Sequence, residues 1–154
     1  MKVLKFGGTS VGSPDNMRAV MKIIADGEQK IIVLSAMSGT TNALVEISNY
    51  LRKKNRETAG ILIGKLESGY KKVVKELFET EENQQKGLQI IKSCFKSIRS
   101  FTSGKFTDVA ENTILSKGEM ISTQLFTFLM EENGHEAKML PSLDFMRIDE
   151  EKMA

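Results

Sequence analysis

Two short apolar runs near the start of the chain have the pattern of β-strands. Residues 3–6 form the first run, which stops at two glycines, and residues 30–35 form the second, a continuous stretch rich in β-branched side chains. A run of the second kind is typical of a strand that is buried on both faces. Each run is followed by a small, polar loop and then by helical periodicity. The repeated order of strand, loop and helix predicts a parallel sheet with right-handed crossovers.

Helical spacing of apolar residues accounts for most of the remaining chain. Ser13 and Pro14 favour a helix start, because serine caps helices well and proline suits the first helical position. The predicted helices run from residue 14 to about 26, then over 42–54, 58–80, 85–101 and 107–131. We expect the third and fourth to form an antiparallel helical hairpin with its turn at Asn83. The residues predicted to face inward are Met17, Val20, Met21, Ile24, Leu44, Ile47, Leu51, Leu62, Leu66, Tyr70, Val73, Leu77, Leu88, Ile91, Phe95, Ile98, Ile114, Ile121, Leu125 and Leu129.

The last segment is predicted to return to strand structure. Asn133-Gly134 should end the fifth helix, since glycine readily takes the left-handed conformation found after helix ends. Residues 136–140 then resemble a strand, and a short segment around 145–148 follows Pro141. No internal repeat, low-complexity stretch or flexible linker is apparent in the sequence, so residues 1–154 are expected to form one unit.

Composition argues against several classes of function. A net charge of +2 is too small to indicate a nucleic-acid or anionic-membrane partner, and no apolar run approaches the ~20 residues that cross a bilayer. Cys94 is the only cysteine, which excludes an internal disulfide, and its place on an apolar helix face predicts a buried structural thiol. His135 is the only histidine and follows a helix-ending turn, with no partner that suggests a ligand or base. We therefore expect a cytoplasmic protein without a metal site.

The first candidate site is the segment Lys-Phe-Gly-Gly-Thr-Ser at residues 5–10. Gly7 and Gly8 would let backbone N–H groups approach a phosphate closely, and the following helix start would add its positive end. Lys5 brings a full positive charge to the same place. The alternative is an ordinary turn in which the glycines supply only backbone freedom. Complete Walker A and G-x-G-x-x-G patterns are absent, which disfavours P-loop NTPases, Rossmann dehydrogenases and protein kinases.

The second candidate site is the segment Ser-Ala-Met-Ser-Gly-Thr-Thr-Asn at residues 35–42. It follows the carboxyl end of the second predicted strand, where open parallel sheets place their ligands. Its hydroxyl groups and the amides of a helix start suit an anion. A well-capped helix start without a ligand is the alternative.

The third candidate site lies at residues 116–122, inside the last long predicted helix. Gly118 interrupts this helix at a cost of about 1 kcal/mol relative to alanine, which indicates close packing or a nearby ligand. Glu119 sits among apolar neighbours in the sequence, where a carboxylate needs a partner such as a substrate ammonium group. A solvent-exposed glutamate on an amphipathic helix is the alternative.

Together the three segments resemble the motifs of aspartate kinases, within the amino-acid kinase superfamily. Residues 5–11, 35–42 and 118–122 occur in that family's order and at about its separations, and the resemblance spans essentially the whole chain. It implies an α/β fold, a three-layer sandwich with a mostly parallel sheet and an inserted helical hairpin. It also implies transfer of the γ-phosphoryl group of Mg-ATP to the side-chain carboxylate of L-aspartate, the first step of lysine, threonine and methionine biosynthesis.

The resemblance also assigns roles by matching position. Lys5 would neutralise charge on the moving phosphoryl group, and Gly7, Gly8 and Ser10 would hold its oxygens. Ser35 and Thr41 would contact the carboxylates of aspartate, and Glu119 would bind its α-ammonium group. A carboxylate is already ionised at neutral pH, so no general base is required and positioning with charge stabilisation suffices.

The resemblance has limits, and other interpretations stay open. Ile148 stands where the family more often has threonine, so no role is assigned to the segment around it. Residues 1–154 are expected to match an N-terminal lobe, inactive alone and without a tightly bound cofactor, whose nucleotide-binding lobe and ACT regulatory domains have no counterpart here. The complete enzyme would be a homo-oligomer, either monofunctional or fused to homoserine dehydrogenase. The alternatives are a glutamate or carbamate kinase, or a non-catalytic domain that docks partners through the hairpin.

Overall fold

The computed structural model describes residues 1–146 and has parallel strands at one end of a group of helices. Residues 147–154, including Ile148, lie outside the described part of the chain. In chain order the elements are β1 (Lys2–Phe6), α1 (Pro14–Ile24), β2 (Lys30–Leu34), α2 (Thr40–Arg52), α3 (Arg56–Leu77), α4 (Glu81–Ser100), α5 (Asp108–Glu132) and α6 (Ser142–Phe145). The α/β class predicted from the sequence is confirmed.

β1 and β2 pair in parallel, in a register that runs from Lys2 opposite Lys30 to Phe6 opposite Leu34. Helix α1 makes the crossover between them, as the strand-helix-strand order predicts. One face of the sheet packs on the core, but the other stays open, with Ile31 37% and Val33 42% exposed. The expectation that residues 30–35 are buried on both faces was therefore wrong within the described chain.

The helix starts follow local capping chemistry. Ser13 Oγ accepts a hydrogen bond from the Asn16 amide at 3.2 Å, and Pro14 occupies the first turn of α1, as predicted. At the far end of α5, Asn133 is the C-cap and Gly134 follows with a φ of +77°, the left-handed conformation that favours glycine.

The turn of the helical hairpin differs from the prediction. Helix α4 begins at Glu81, and the hydroxyl oxygen of Thr80 accepts a hydrogen bond from the Asn83 amide at 3.3 Å. Asn83 therefore lies inside the first turn of α4 instead of forming the loop, which spans residues 78–80. A threonine N-cap has moved the helix start four residues ahead of the predicted one.

The predicted strand at residues 136–140 does not form. Within residues 1–146, β1 and β2 pair only with each other, and residues 135–141 carry no regular secondary structure. A strand is defined by hydrogen bonds to a neighbouring strand, and residues 136–140 make none of this kind to β1 or β2. The short segment predicted around residues 145–148 lies partly outside the described chain, and α6 ends at Phe145.

The core lies between the helices and the inner face of the sheet. The hairpin of α3 and α4 packs on α2 and α5, and α3 also contacts α1. Its apolar faces are buried in these contacts, although Ile61 is 65% exposed, so no extended apolar stripe on the hairpin supports a docking role. Cys94 is buried as predicted, and burial raises the pKa of its thiol. Over residues 1–146, no helix combines the length and apolar character that a membrane span requires.

The carboxylate of Glu132, at the end of α5, ties this helix to the hairpin turn. It accepts hydrogen bonds from the backbone amides of Glu79 at 3.2 Å and Thr80 at 3.0 Å, from the Thr80 hydroxyl at 2.8 Å and from Asn83 Nδ2 at 3.0 Å. Partial burial by itself would raise the pKa of Glu132, but the hydrogen bonds outweigh it and lower that pKa below its ordinary 4.5.

Replacing Glu132 by glutamine should lower the free energy of unfolding by about 1–3 kcal/mol at pH 7, because several donors lose a charged acceptor. The native carboxylate has the lower pKa, so its contribution is fully present above the unfolded value of 4.5 and is lost as pH falls through the folded value. Urea denaturation at pH 7 and at pH 3 measures both effects. The Glu79→Gln variant, which changes an exposed side chain in the same turn, is the control. An equal penalty for Glu132→Gln at both pH values would contradict this account.

Candidate active site

The first predicted motif forms a tight turn at the carboxyl end of β1. The Gly7 carbonyl accepts hydrogen bonds from the amides of Ser10 at 2.9 Å and Val11 at 3.3 Å. Asn16 on α1 donates from Nδ2 to the Thr9 carbonyl at 2.8 Å, which fastens the turn to the helix start. The Lys5 and Ser10 side chains are exposed and make no hydrogen bond or ion pair with other residues in the described range.

Gly8 brings this turn against the second predicted motif. An ideal Cβ on Gly8 would lie 2.9 Å from the Ala36 carbonyl oxygen, closer than real Cβ contacts come. An ideal Cβ on Gly12 would lie 2.9 Å from the Gly8 carbonyl oxygen of its own turn and 3.0 Å from the Cβ of Ser38. A Cβ on Gly7 would meet nothing within 4 Å. The contact between the motifs therefore requires glycine at residue 8. Gly12 is required by the backbone of the turn as well as by this contact, and Gly7 borders open space.

The second motif continues the sheet and then enters α2. The Ser35 amide donates to the Phe6 carbonyl at 3.1 Å, so residue 35 stays beside the end of β1. Gly39 is the N-cap of α2 with a φ of +79°, and no side chain caps this helix. The alternative of a well-capped helix start is therefore wrong. The positive end of α2 is left for another acceptor.

The third motif packs directly on the second. An ideal Cβ on Gly118 would lie 2.9 Å from Ala36 Cβ and 3.0 Å from Thr40 Cγ2, so the glycine allows α5 to approach this loop closely. Ser122, which is fully buried, donates from Oγ to the Ser35 carbonyl at 2.8 Å. Sequence reasoning gave Ser122 no role of its own, because its partner lies 87 residues away along the chain.

Glu119 differs from the expectation based on its neighbours in sequence. Its side chain is exposed, and it has no hydrogen bond or ion pair to any other described side chain. Successive helical positions are rotated by about 100°, so Glu119 does not share the buried direction of Gly118. Because this carboxylate is exposed to solvent, it needs no protein partner to offset a cost of burial. Thr41 at the start of α2 is likewise exposed and without a side-chain hydrogen bond within residues 1–146.

The arrangement combines groups that suit a phosphate beside an amino acid. Lys5 offers a cation next to the amides of a glycine turn, and α2 offers an uncapped helix N-terminus. Glu119 offers an exposed carboxylate and Thr41 an exposed hydroxyl, each on the residue after Gly118 and Thr40, where α5 and α2 approach one another. Among the described residues, no group of three or more His, Cys, Asp or Glu side chains is placed to hold a metal ion.

Replacing Gly118 by alanine should lower the free energy of unfolding by about 1–3 kcal/mol, because the new methyl group would overlap Ala36 and Thr40. Alanine ordinarily stabilises a helix relative to glycine by about 1 kcal/mol. Gly69→Ala on α3 is the matched control: its Cβ would meet nothing within 4 Å, so it should stabilise the protein. Urea denaturation of both variants gives the comparison, and a stabilising Gly118→Ala would refute the close approach of α5.

Comparison with known proteins identifies the family. The model of the amino acid kinase family matches residues 1–153. The carrot chloroplast bifunctional aspartokinase/homoserine dehydrogenase is 25% identical over 153 residues, which cover 94% of this chain and 16% of that enzyme. The lysine-sensitive aspartokinase 3 of Escherichia coli is 28% identical over 149 residues, covering 96% of this chain and 32% of that enzyme. A Haemophilus influenzae relative, whose name carries the words inactive aspartokinase 3, is 42% identical over 87 residues, covering 54% of this chain and 67% of that protein.

Solved structures show the same fold. The chain superimposes on E. coli aspartokinase III in complex with lysine and aspartate with a TM-score of 0.70 at 23% identity, over 88% of this chain and 30% of that one. The complex of that enzyme with aspartate and ADP gives a TM-score of 0.65 at 24% identity, over 87% of this chain and 29% of that one. The chain thus spans about a third or less of the carrot and E. coli enzymes. With a family match along nearly its whole length, this chain belongs to the amino acid kinase family.

Proposed function

We propose that this chain is the L-aspartate- and γ-phosphate-binding lobe of an aspartate kinase domain, which transfers the γ-phosphoryl group of Mg-ATP to the side-chain carboxylate of L-aspartate. The contact between the three motifs carries the proposal. Gly8 lies against the loop of residues 35–42, and Gly118 and Ser122 hold the same loop from α5. The aspartokinase names of the relatives support the choice of substrate.

On the phosphate side, Lys5 neutralises negative charge on the phosphoryl group as it moves. The amides of Gly7 and Gly8 and the hydroxyl of Ser10 bind its oxygens. The exposed Lys5 and Ser10 side chains have no competing partner in the described chain, so a ligand does not have to displace one. Fixed donors of this kind stabilise transferred charge without reorganising.

On the amino-acid side, Ser35 and Thr41 contact the carboxylates of aspartate. The backbone of Ser35 is already held by Phe6 and Ser122, which leaves its hydroxyl for the ligand. Glu119 binds the α-ammonium group through a charge-assisted hydrogen bond. The reaction needs no general base, because the attacking carboxylate is ionised at neutral pH.

The chain by itself should bind aspartate and fail to turn over. We expect none of these residues to contact the adenosine part of ATP, which a separate nucleotide-binding lobe would hold. We propose that the complete enzyme is a cytoplasmic homo-oligomer. An ATP-dependent hydroxamate assay on the 154-residue chain tests the first point, and aspartyl phosphate formation at an enzymatic rate would overturn it.

Replacing Glu119 by glutamine should weaken L-aspartate binding by about tenfold or more, because a charged acceptor for the ammonium group is lost. Isothermal titration of the chain with L-aspartate measures the change. Glu131→Gln, at an exposed glutamate near the C-terminal end of α5, is the control and should bind as the unmodified chain does. Binding that is unaffected by Glu119→Gln would remove Glu119 from the site. Tighter binding of L-glutamate than of L-aspartate would favour the glutamate kinase alternative.

A further inference from the structure

The start of α2 is joined to the helical hairpin by a buried hydrogen bond. Thr40 Oγ1 lies 2.7 Å from the hydroxyl oxygen of Tyr70. Thr40 is 4% exposed and Tyr70 is 3% exposed. Thr40 is the first residue of α2 and belongs to the loop of residues 35–42, whereas Tyr70 lies within α3. The hairpin therefore reaches the proposed aspartate site through this contact.

Thr40 is held from a second direction by α5. The space that an ideal Cβ on Gly118 would occupy lies only 3.0 Å from Thr40 Cγ2. Threonine is branched at Cβ, so fixing its hydroxyl and its methyl group together leaves one side-chain rotamer. The side chain of Thr40 therefore lies between α3 and α5.

No local side chain caps the start of α2. The other four long helices have N-cap side chains that accept a hydrogen bond from an amide three residues later, namely those of Ser13, Asn55, Thr80 and Thr107. In α2 the N-cap is Gly39, which has no side chain to offer. A tertiary hydrogen bond at the first helical residue thus takes the place of a local one.

Tyr70 is itself well placed to act as an anchor. Its ring packs against Phe95 on α4, with ring centroids 6.1 Å apart and planes tilted by 54°. Burial raises the pKa of Tyr70 to about 12, so the hydroxyl keeps its proton at neutral pH. The side chain can therefore stay neutral and hydrogen-bonded inside the core, without the penalty of a buried charge.

We propose that Tyr70 is a positioning residue of the aspartate site: by holding Thr40 it sets the place of Thr41 and of the amides at the start of α2. This inference rests on the proposed function, since it assumes that Thr41 contacts the substrate. It assigns to the hairpin a part in substrate binding, although none of the predicted site residues lies on the hairpin.

Removing the Tyr70 hydroxyl with Tyr70→Phe should raise the dissociation constant for L-aspartate by about tenfold, because the start of α2 is no longer held in its binding position. Tyr50→Phe is the matched control. Tyr50 is half-buried on α2, has no side-chain hydrogen bond within residues 1–146, and should not affect the affinity. Thr40→Val should reproduce the loss, and the double variant should lose no more than either single variant if both act through one bond.

Amide hydrogen exchange without ligand separates positioning from general destabilisation. The amides of Thr40 and Ala43 bond to Met37 O at 3.0 Å and Gly39 O at 3.1 Å, and both should exchange about tenfold faster in Tyr70→Phe. The Lys53 amide, bonded to Asn49 O at the other end of α2, should be unaffected. A uniform increase along the helix, or unchanged exchange at Thr40 and Ala43 with unchanged aspartate affinity, would overturn the proposal.

Failure of the unmodified chain to bind L-aspartate would count against the proposed function instead. The exchange rates, which need no ligand, would in that case decide by themselves whether Tyr70 positions the start of α2.

Discussion

Lys5→Met should reduce aspartyl phosphate formation by at least about a hundredfold in a kinase domain completed by a nucleotide-binding lobe. The methionine keeps the length of the side chain but removes the positive charge beside the glycine turn. Lys5 forms no ion pair in the described chain, so its replacement should weaken the interaction with the phosphoryl group and leave the fold intact. A hydroxamate assay measures turnover, and circular dichroism checks the fold.

The control for this change is Lys2→Met in the same strand. Lys2 is exposed and pairs with Glu28 at 2.6 Å, on the opposite side of β1 from Lys5 in the strand alternation. An exposed ion pair of this kind contributes at most about 1 kcal/mol, so Lys2→Met should leave turnover close to normal. If Lys5→Met also kept near-normal turnover, the role of Lys5 in charge neutralisation would be wrong.

Phe95→Ala should destabilise the chain by about 3–5 kcal/mol, the largest effect that we expect on folding. Phe95 is completely buried on α4, and its ring packs on Tyr70 of the facing helix. Truncation would remove the apolar area of a whole ring and leave a cavity at the centre of the hairpin. Urea denaturation monitored by circular dichroism gives the change in the free energy of unfolding.

The matched control lies on the outside of the hairpin. Ile61 on α3 is 65% exposed, so Ile61→Ala should change stability by no more than about 0.5 kcal/mol. A penalty below about 1 kcal/mol for Phe95→Ala would show that the hairpin does not pack as described. Since Phe95 also supports Tyr70, we expect this variant to weaken aspartate binding as well.

Much of the secondary structure could be predicted because its causes are local. A helix is specified by apolar residues three or four positions apart and by a cap at its first residue, so α1 with Ser13 and Pro14 was predicted closely. The end of α5 at Asn133-Gly134 was equally clear. The turn at Asn83 was misplaced because the Thr80 cap was not recognised.

The strand predictions failed where they depended on distant neighbours. An apolar run indicates a strand, but its burial depends on what covers each face of the sheet. The outer face of β2 remains open within the described residues, and residues 136–140 do not pair with β1 or β2. Neither outcome can be predicted from a few neighbouring residues, because both depend on segments that are distant along the chain.

The candidate site likewise combines features that the sequence predicts with contacts that it does not predict. The three motifs could be recognised from the sequence, because each is a short run of residues with a chemical use. Their contact could not, since Gly8 meets Ala36, and Ser122 bonds to a carbonyl 87 residues away. Exposure of Glu119 is likewise a property of how α5 is rotated against the loop.

By itself, the sequence determined the strand-helix-strand start of the chain, the order of its long helices, most helix ends and the three motifs that mark the candidate site. These depend on interactions between residues that are near one another along the chain. Only the tertiary structure decided that Gly118 is a point of close approach, that α2 lacks a local cap and that Tyr70 holds Thr40 instead. Such contacts form between elements far apart in sequence, whose relative placement is set by how the whole core packs.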